Sequence, residues 1–438
     1  MDSNTKQDNR NKKLNSVSPK NQLEKIKSIY FLQKMFDILN KSKFLGIIKI
    51  NNAIQKKLNL NIKDYKEYSE IFSPIEIELI PIKNGFGPFI NVFKTEDESY
   101  YHIYFNNNKK EVKRYILNED DNVSKIKIII DYQVKSFELL FQNCYCIKSI
   151  NFKKFNRTNI NNMKHMFFGC NKLKSLNISN LKTNDVIDMS YMFYKCSLLK
   201  ELNLDNFNTN NVTNMEWMFS HCSSLKELKL SNFTNNKVTN MSCMFSECTS
   251  LTDLNLANFS TDKVTEMASL FNGCSSLIKL DLSNFNTNNV TNMGCMFEGC
   301  SSLEDLNISN LNTNNVIYMG YMFKDCTSLK ELNLSNFNTN KVTDISSMFK
   351  GCSSVIELNL SNFNTNKVNQ MDNMFKDCTS LKELNISNFN INNMEKSRFM
   401  FSGCSNELKA KIKMEMKNIS DKVFNDLIYF KQRNINNK

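Results

Sequence analysis

Eleven of the fourteen cysteines follow one another at a constant interval of 26 residues, and the whole segment around each of them repeats with the same period. Self-similarity at a fixed period in the twenties is typical of a solenoid, in which each repeat is one coil that contacts only its neighbours. No single coil can bury its apolar side alone, so the core must run through the whole array. The column comprises Cys144, Cys170, Cys196, Cys222, Cys248, Cys274, Cys300, Cys326, Cys352, Cys378 and Cys404.

One copy, from Val212 to Phe233, combines two hydrophobic periodicities. Its apolar residues up to Cys222 recur at intervals of three and four, which predicts a short helix. Leu228 and Leu230 then alternate with polar residues, which predicts a short half-buried strand. The repeats therefore predict an α/β solenoid of about eleven coils over residues 123–404, with a parallel sheet on the concave face and short helices on the convex face.

The sequence before the repeats predicts a small α+β region in three parts. Residues 1–21, rich in Asn, Lys and Ser, predict a disordered basic leader. Residues 22–68 predict a small helical region, and residues 69–122 a small β-rich region. We expect Val123 to Gln142 to form a degenerate first coil, with Ile126, Ile128 and Ile130 in its strand.

After the repeats, residues 405–438 predict a helix that caps the array. A solenoid with open ends needs a terminal element with a polar outer face. The apolar face of this predicted helix contains Leu408, Ile412, Ile419, Val423, Leu427 and Phe430.

The regularly spaced cysteines predict buried free thiols. Each follows the apolar face of a predicted helix, where a small hydrophobic side chain fits, and free cysteine is among the most buried residue types. Neighbours one coil apart would satisfy disulfide geometry, but eleven is an odd number and no export signal is recognisable. We expect this structural column to include Cys170, Cys196, Cys222, Cys248, Cys274, Cys300, Cys326, Cys352 and Cys378.

Nothing in the sequence has the pattern of a catalytic, cofactor or metal site. Nucleophilic catalysis needs a base beside the nucleophile. The three histidines, His102, His165 and His221, have no recurring partner, and His221 should point away from an inward Cys222. No phosphate-binding loop and no zinc-ligand spacing is present. The sequence therefore predicts a protein that is not an enzyme and needs no cofactor.

The positive charge lies at the two ends of the chain. The net charge is +12, with 13 Lys/Arg against 4 Asp/Glu in residues 1–60, but 20 against 22 in residues 163–404. Phosphate contacts need clustered cations, so this distribution argues against a nucleic-acid groove along the main surface. No run approaches 18 apolar residues, so no membrane span is predicted. The expected partner is another protein.

Two polar columns should face the concave surface of the predicted sheet. One is mostly acidic and the next mostly asparagine. They serve either as side-chain ladders for solubility and register, or as a repetitive surface for an extended partner. Their members include Glu201, Asn203, Glu227, Lys229, Asp253, Asn255, Glu331 and Asn333.

Among the positions of each copy, the second of the two between the methionines varies most. It contains Tyr191, Trp217 and Tyr321, and exposed aromatic side chains are common anchors of interfaces. Tyr191 and Trp217 fall on adjacent coils, so they could form one contact point. Free variation on an unconstrained surface would produce the same pattern.

The repeated phrase Val-Thr-Asn-Met-x-x-Met-Phe-x-x-Cys-x-Ser-Leu-x-x-Leu-Asn-Leu-Ser-Asn-Phe-Asn-Thr closely resembles the BspA-like family of 26-residue leucine-rich repeats over about residues 140–404. The resemblance implies a right-handed leucine-rich-repeat coil that binds and does not catalyse, and it leaves a cell-surface adhesin open. Residues 22–68 are faintly similar to an F-box, which would imply a substrate adaptor of a ubiquitin ligase. Because no signal peptide or anchor is recognisable, we expect a cytoplasmic protein-binding scaffold.

Overall fold

The computed structural model describes residues 27–28, 30, 32, 52–57, 70, 72–93, 95–390, 397–416 and 419–424. The chain forms two compact units, residues 1–73 and 74–438. The first unit includes the helix α1 (Asn52–Lys57). The predicted leader and most of the predicted helical region 22–68, with its F-box-like pattern, lie outside the described residues.

The second unit begins with an antiparallel sheet. Its central strand β1 (Ile75–Pro81) pairs on one side with β5 (Ile126–Ile130) and on the other with β6 (Ile147–Lys154). Buried and half-buried residues alternate along β1 and β5, so one face of the sheet covers the core. The remaining elements are β3 (Tyr101–Phe105), which pairs with β5, the small pair β2 (Gly87–Pro88) and β4 (Ile116–Leu117), and the 3-10 helix Thr95–Tyr100.

The strand expected in the first coil belongs to this sheet instead. Ile126, Ile128 and Ile130 are buried as predicted, but they pair antiparallel with β1 and not parallel with a coil. Alternating burial suits a strand of either kind, and the sequence pattern does not specify the pairing partner. The Leu-x-Leu side of the solenoid begins at β6, which pairs in parallel with β7 (Ser175–Asn177), one repeat further along the chain. The opposite side of the first coil begins earlier, at Ser136, which bridges in parallel to the equivalent residue of the next coil.

We call the surface formed by the Leu-x-Leu segments the leucine face. Short strands pair there in parallel, in register with the equivalent strand of the next coil, as the repeat predicts. The described segments Asp253–Asn255 and Glu331–Asn333 form no strand, so the predicted sheet is divided into separate pairs. These pairs are β8 (Glu201–Asn203) with β9 (Glu227–Lys229), β10 (Lys279–Asp281) with β11 (Asp305–Asn307), and β12 (Glu357–Asn359) with β13 (Glu383–Asn385).

The helices predicted for the other face are wrong. Each Met-x-x-Met-Phe-x-x-Cys segment is a run of consecutive turns, and we call the surface they form the turn face. In one copy, the N–H of Met218 donates to the carbonyl of Met215, three residues back. The N–H of Trp217 and that of Phe219 donate instead to carbonyls of the next coil, both at 2.9 Å.

These bonds between coils form an unbroken ladder along the turn face. Parallel bridges join equivalent residues on successive coils from Ser136 to Gln370. The continuous backbone ladder of the solenoid therefore lies on the turn face and not on the leucine face, where the sequence predicted it.

A left-handed backbone explains why no helix forms. Two columns of the turn face have positive φ in every copy, one from Leu139 to Phe399 and one from Asn143 to Gly403. An α-helix requires negative φ at each residue, whereas a turn tolerates positive φ at its third position. Five members of the second column are glycines, which adopt this conformation without strain.

The core is built from columns of identical side chains. Phenylalanines from Phe141 to Phe401 stack on their equivalents in the next coil, with ring centroids 5.5–5.7 Å apart. The cysteine column lies beside this stack. Each thiol from Cys170 to Cys404 donates to the carbonyl of the stacked phenylalanine in the preceding coil, at 3.0–3.2 Å. The thiols thus pair buried acceptors as well as fill space.

A second buried column consists of threonines that link adjacent coils. The hydroxyl of Thr287 donates to the carbonyl of Asn312 at 2.8 Å and accepts from its N–H at 2.7 Å. In one coil the usual Asn-Thr order is reversed, and Asn235 occupies the buried position. Its side-chain oxygen and nitrogen have no hydrogen-bond partner, and its φ is +53°.

The first member of the same column is Arg157, whose side chain is fully buried. Its guanidinium donates to the carbonyls of Asp131 and Val134 and to the side chain of Asn159. Burial lowers the pKa of Arg157 to about 10, which still leaves it charged at neutral pH. This arginine therefore fastens the chain after β5 to the first coil.

The far end of the array is closed by two short helices and not by the single long one predicted. Helix α2 (Asn406–Glu415) starts at the capping residue Ser405 and buries Leu408 and Ile412. A 3-10 helix, Asp421–Val423, follows and buries Val423. The ring of Phe424 then covers the end of the phenylalanine stack, 5.7 Å from Phe401. Leu427 and Phe430 lie outside the described residues.

Exchanging the two residues of the reversed coil, Thr234→Asn with Asn235→Thr, should raise the free energy of unfolding. The exchange supplies a hydroxyl where two buried polar atoms now lack partners, a gain of about 1–3 kcal/mol. Denaturant unfolding measures the change. The opposite exchange in a regular coil, Asn286→Thr with Thr287→Asn, is the matched control and should lower stability; the same sign for both would contradict the threonine ladder.

Substituting Gly299 by alanine distinguishes the observed turns from the predicted helix. In a helix this change would stabilise the protein by about 1 kcal/mol. At the observed φ of +73° it should destabilise by about 1 kcal/mol, although the new methyl group meets nothing closer than 3.5 Å. Thermal unfolding gives the sign, and a higher melting temperature would contradict the turn geometry.

Candidate functional site

The structure stacks the two aromatic residues predicted as a contact point. The rings of Tyr191 and Trp217 are nearly parallel, with centroids 5.9 Å apart and an interplanar angle of 8°. His165 extends the stack on the preceding coil, 4.8 Å from Tyr191. All three side chains are half-buried. Three consecutive coils therefore carry one aromatic column.

A second aromatic row lies beside the first. Phe168 stacks on Tyr194 at 4.8 Å, and the ring of His221 lies 5.3 Å from Tyr194. Tyr194 also meets Trp217 edge-on at 5.8 Å, which joins the two rows. We call these six residues the aromatic cluster: His165, Phe168, Tyr191, Tyr194, Trp217 and His221.

Sequence reasoning missed Phe168 and Tyr194 as members of this cluster. They occupy the column directly after Met-Phe, which contains polar residues in later copies, such as Ser246, Glu298 and Lys350. The change from aromatic to polar residues along this column is the signal that could have identified them. The predicted helix obscured it, because a helix would not place Phe168 and Tyr194 beside the column of Tyr191 and Trp217.

The backbone fixes the positions of the cluster residues. His165, Tyr191 and Trp217 have φ of +55° to +57°, and their N–H groups bond to the next coil at 2.9–3.0 Å. The ladder thus sets the spacing of the backbone, and the stacking of the rings on one another restricts the side chains. Rigid, half-exposed aromatic groups are effective interface anchors for this reason.

The cluster is uncharged at neutral pH. Burial lowers the pKa of His165 and of His221 below the ordinary value, so both imidazoles are neutral at pH 7. The indole N–H of Trp217 donates to the carboxylate of Glu216 at 3.1 Å. The Nδ1 atom of His165 is buried without a hydrogen-bond partner.

Tyr321 lies apart from the cluster. It occupies the same column as Trp217, but four coils further on, about 19 Å away at 4.8 Å per coil. The ammonium of Lys324 lies 5.7 Å from the centre of its ring. The structure therefore does not join Tyr321 to the other two predicted anchors.

The predicted polar columns lie exposed on the leucine face, as in Glu227 and Asp253. The asparagines have a structural task, since the side-chain oxygen of Asn203 accepts the N–H of Asp205 at 2.9 Å. Asn255 and Asn333 bond in the same way to the second residue after them. This pattern gives the asparagine column a structural role, because each side chain stabilises the turn that follows the Leu-x-Leu segment. The other members, Glu201, Lys229 and Glu331, are exposed as well.

Cys222, the thiol that follows a histidine, lacks the geometry of a catalytic nucleophile. Cys222 is fully buried, donates to the carbonyl of Phe193 at 3.1 Å, and has a pKa that burial raises to about 12. His221 faces away from it and bonds to the hydroxyl of Ser220 at 2.8 Å. Ser220 is itself fully buried, so this pair offers no accessible nucleophile. Within the described residues, no group of three His, Cys, Asp or Glu side chains is arranged to hold a metal ion.

Among the described residues, no helix is both long enough and apolar enough to cross a membrane.

Comparison with known proteins identifies the repeats. A family model described as "Mycoplasma protein of unknown function, DUF285" matches residues 135–254, 239–355 and 328–437. No curated protein matches the sequence.

Solved structures similar to the chain include one named as a leucine-rich-repeat protein. They include TLR13 in its complex with ssRNA13, with 19% identity and a TM-score of 0.27 over 58% of this chain and 38% of that one. The leucine-rich-repeat protein TpLRR of T. pallidum has 21% identity and a TM-score of 0.26, over 45% and 71%. The functional domain of InlJ from Listeria monocytogenes, which includes a cysteine ladder, has 17% identity and a TM-score of 0.19, over 64% and 70%. These low TM-scores support no inference about partners.

Thiol titration of the native protein should detect very few cysteines. The described structure leaves all fourteen unpaired, thirteen of them buried and Cys295 half-buried. Burial raises the pKa of Cys295 to about 12, so even this thiol should react slowly at neutral pH. Unfolding in denaturant should release all fourteen, and rapid labelling of several thiols before unfolding would contradict the buried column.

Proposed function

The chain belongs to the family described as Mycoplasma protein of unknown function, DUF285, and we propose that it is a non-enzymatic scaffold that binds another protein through the aromatic cluster. The family description assigns no activity, so the proposal is drawn from the molecule itself. The solenoid of equal coils offers a long, regular and rigid surface on which the cluster is an exception.

The aromatic cluster carries this proposal. It concentrates six aromatic side chains on three consecutive coils, whereas the same columns contain Ser269, Asn272 and Ser347 further along the chain. Stability alone does not require these rings, since coils without them stack with the same ladder and the same phenylalanine spacing. A half-exposed, rigid aromatic group is the usual centre of a protein interface.

The buried chemistry supports binding rather than catalysis. The cysteine column serves the core, and the hydroxyl nearest to His221 is not accessible to a substrate. The grooves of the leucine face are open, and the one bounded by Lys279, Asp281 and Asp305 is mainly polar. Such surfaces suit a macromolecule better than a small substrate, which needs enclosure.

We also propose the finer assignment to BspA-like repeats, with a right-handed coil, because the repeated phrase resembles that family closely. This leaves two settings for the scaffold, inside the cell or displayed on its surface as an adhesin. Labelling of intact cells with a reagent that does not cross membranes separates them: modified protein supports surface display, and modification only after lysis supports the intracellular setting. Most of the F-box-like segment lies outside the described residues, so no structural observation supports the adaptor hypothesis.

Replacing Trp217 by alanine should greatly reduce capture of a native partner by the immobilised full chain. The change removes the largest ring of the cluster, and loss of such an anchor typically weakens binding by at least tenfold. Quantitative recovery from a cell lysate measures the effect. Tyr321→Ala is the matched control, because Tyr321 occupies the same column and also has a positive φ angle, but lies outside the cluster. Equal recovery with Trp217→Ala and the unchanged chain would contradict the proposed site.

A further inference from the structure

Four lysines form a ladder at one position of four consecutive coils. Lys148, Lys174, Lys200 and Lys226 occupy equivalent positions of successive repeats, and all four are exposed. The backbone of Lys174 bonds to that of Lys148, and that of Lys226 to that of Lys200, each at 2.8 Å. Successive lysines are therefore one coil apart, about 4.8 Å. We call this row the lysine ladder.

Nothing in the described structure neutralises this row. None of the four lysines forms an ion pair with another described residue. Further along the same column the pattern changes to Thr252, Ile278 and Glu304, and Lys330 there lies 3.9 Å from the carboxylate of Glu304. Like charges at such spacing repel one another, so the ladder does not serve to stabilise the stack.

The charge of the whole solenoid follows the same division. Residues 144–226 carry 11 Lys/Arg against 5 Asp/Glu, whereas residues 227–404 carry 13 against 17. The near-neutral total of the repeats therefore conceals a basic first part and an acidic remainder. The basic part contains the aromatic cluster as well as the lysine ladder.

An open groove of about 540 Å³ borders the aromatic cluster, and the ladder lysines lie outside its lining. Phe168 and His221 of the cluster line it, together with the exposed ring of Tyr145. Its charged lining groups are Lys195, whose ammonium lies 5.2 Å from the centre of the Tyr194 ring, and Glu247 on the last coil. The residues at 145, 171, 197 and 223 line the groove, and each ladder lysine follows three residues after one of them.

We propose that this groove binds an extended acidic segment of a partner protein, with its carboxylates on the lysine ladder and its apolar side chains against the aromatic cluster. This inference rests on the proposed function and adds the chemistry of the partner. A strand advances about 3.3 Å per residue, so five or so residues cover the ladder, and alternate side chains point to opposite sides. Alternating acidic and apolar residues would thus turn one set of side chains toward the ladder and the other toward the cluster.

The arrangement of the rings favours a peptide over single-stranded nucleic acid. Binding of bases requires free aromatic faces on which they can stack. In the cluster both faces of Tyr191 are covered, by His165 and by Trp217. This leaves at most one face each of His165 and Trp217 for a base, too few to receive successive nucleotides.

The test measures binding of a fluorescent peptide of about eight alternating glutamate and leucine residues to the full chain by anisotropy. We expect saturable binding that weakens as salt is added, since exposed charge contacts are screened. The double variant Lys174→Glu/Lys200→Glu should weaken it by about tenfold or more. The matched control Lys330→Glu/Lys382→Glu reverses the same column outside the ladder and should change affinity less than about twofold.

Three results would overturn the inference: no saturable binding, equal weakening by both double variants, or displacement of the peptide by a labelled oligouridylate that binds more tightly. The last would assign the groove to single-stranded RNA. All substituted lysines are exposed, so thermal unfolding should change little, even where the control variant loses the surface pair of Lys330 with Glu304, and it will verify that each variant folds. If the ladder variant still captures the native partner while Trp217→Ala does not, only the acidic segment is contradicted and the proposed function stands.

Discussion

The whole structure depends on coils of identical length meeting in register along the turn face. The N–H groups of alternate residues there donate to the next coil, and those between them close turns within their own coil. This division uses the backbone donors in two directions at once, so that a buried run of turns leaves few of them unpaired. A coil one residue longer would displace the phenylalanine, cysteine and threonine columns together.

The buried columns explain why each residue type recurs. A cysteine has the size of a small apolar side chain, yet its thiol can donate to the carbonyl above it, as Cys274 does to Phe245 at 3.1 Å. A threonine can donate and accept at once, as Thr313 does with the backbone of Asn338. Each column thus satisfies backbone groups that stacking would otherwise bury unpaired. Asn235 marks what happens when the order is disturbed, because its buried amide has no partner.

With the core fixed in this way, the freedom to vary is confined to the surface columns. The left-handed column that contains Tyr191 and Trp217 accepts many side chains, because its backbone geometry is imposed by the bonds to the next coil. The first coils combine a stack of aromatic rings in this column with a row of exposed lysines that form no ion pair with another described residue. In the later coils the aromatic residues of this column, such as Tyr321, stand apart, and the lysine column contains mixed charges. In the proposed binding mode, specificity therefore comes from a few coils and not from the whole array.

The sequence by itself determined the period, the solenoid, and which side chains are inside: Val212, Met215, Met218, Phe219 and Cys222 are all fully buried. It did not determine the secondary structure of that segment, because consecutive turns closed by bonds to the third residue back produce nearly the same apolar spacing as a helix. Nor did it show that Ile126–Ile130 pairs with β1, or that Phe168 and Tyr194 meet Trp217, since alternation and spacing say nothing about partners far along the chain. Only the tertiary structure decided these points, because the choice between a bond within the coil and one to the next coil is made by stacking.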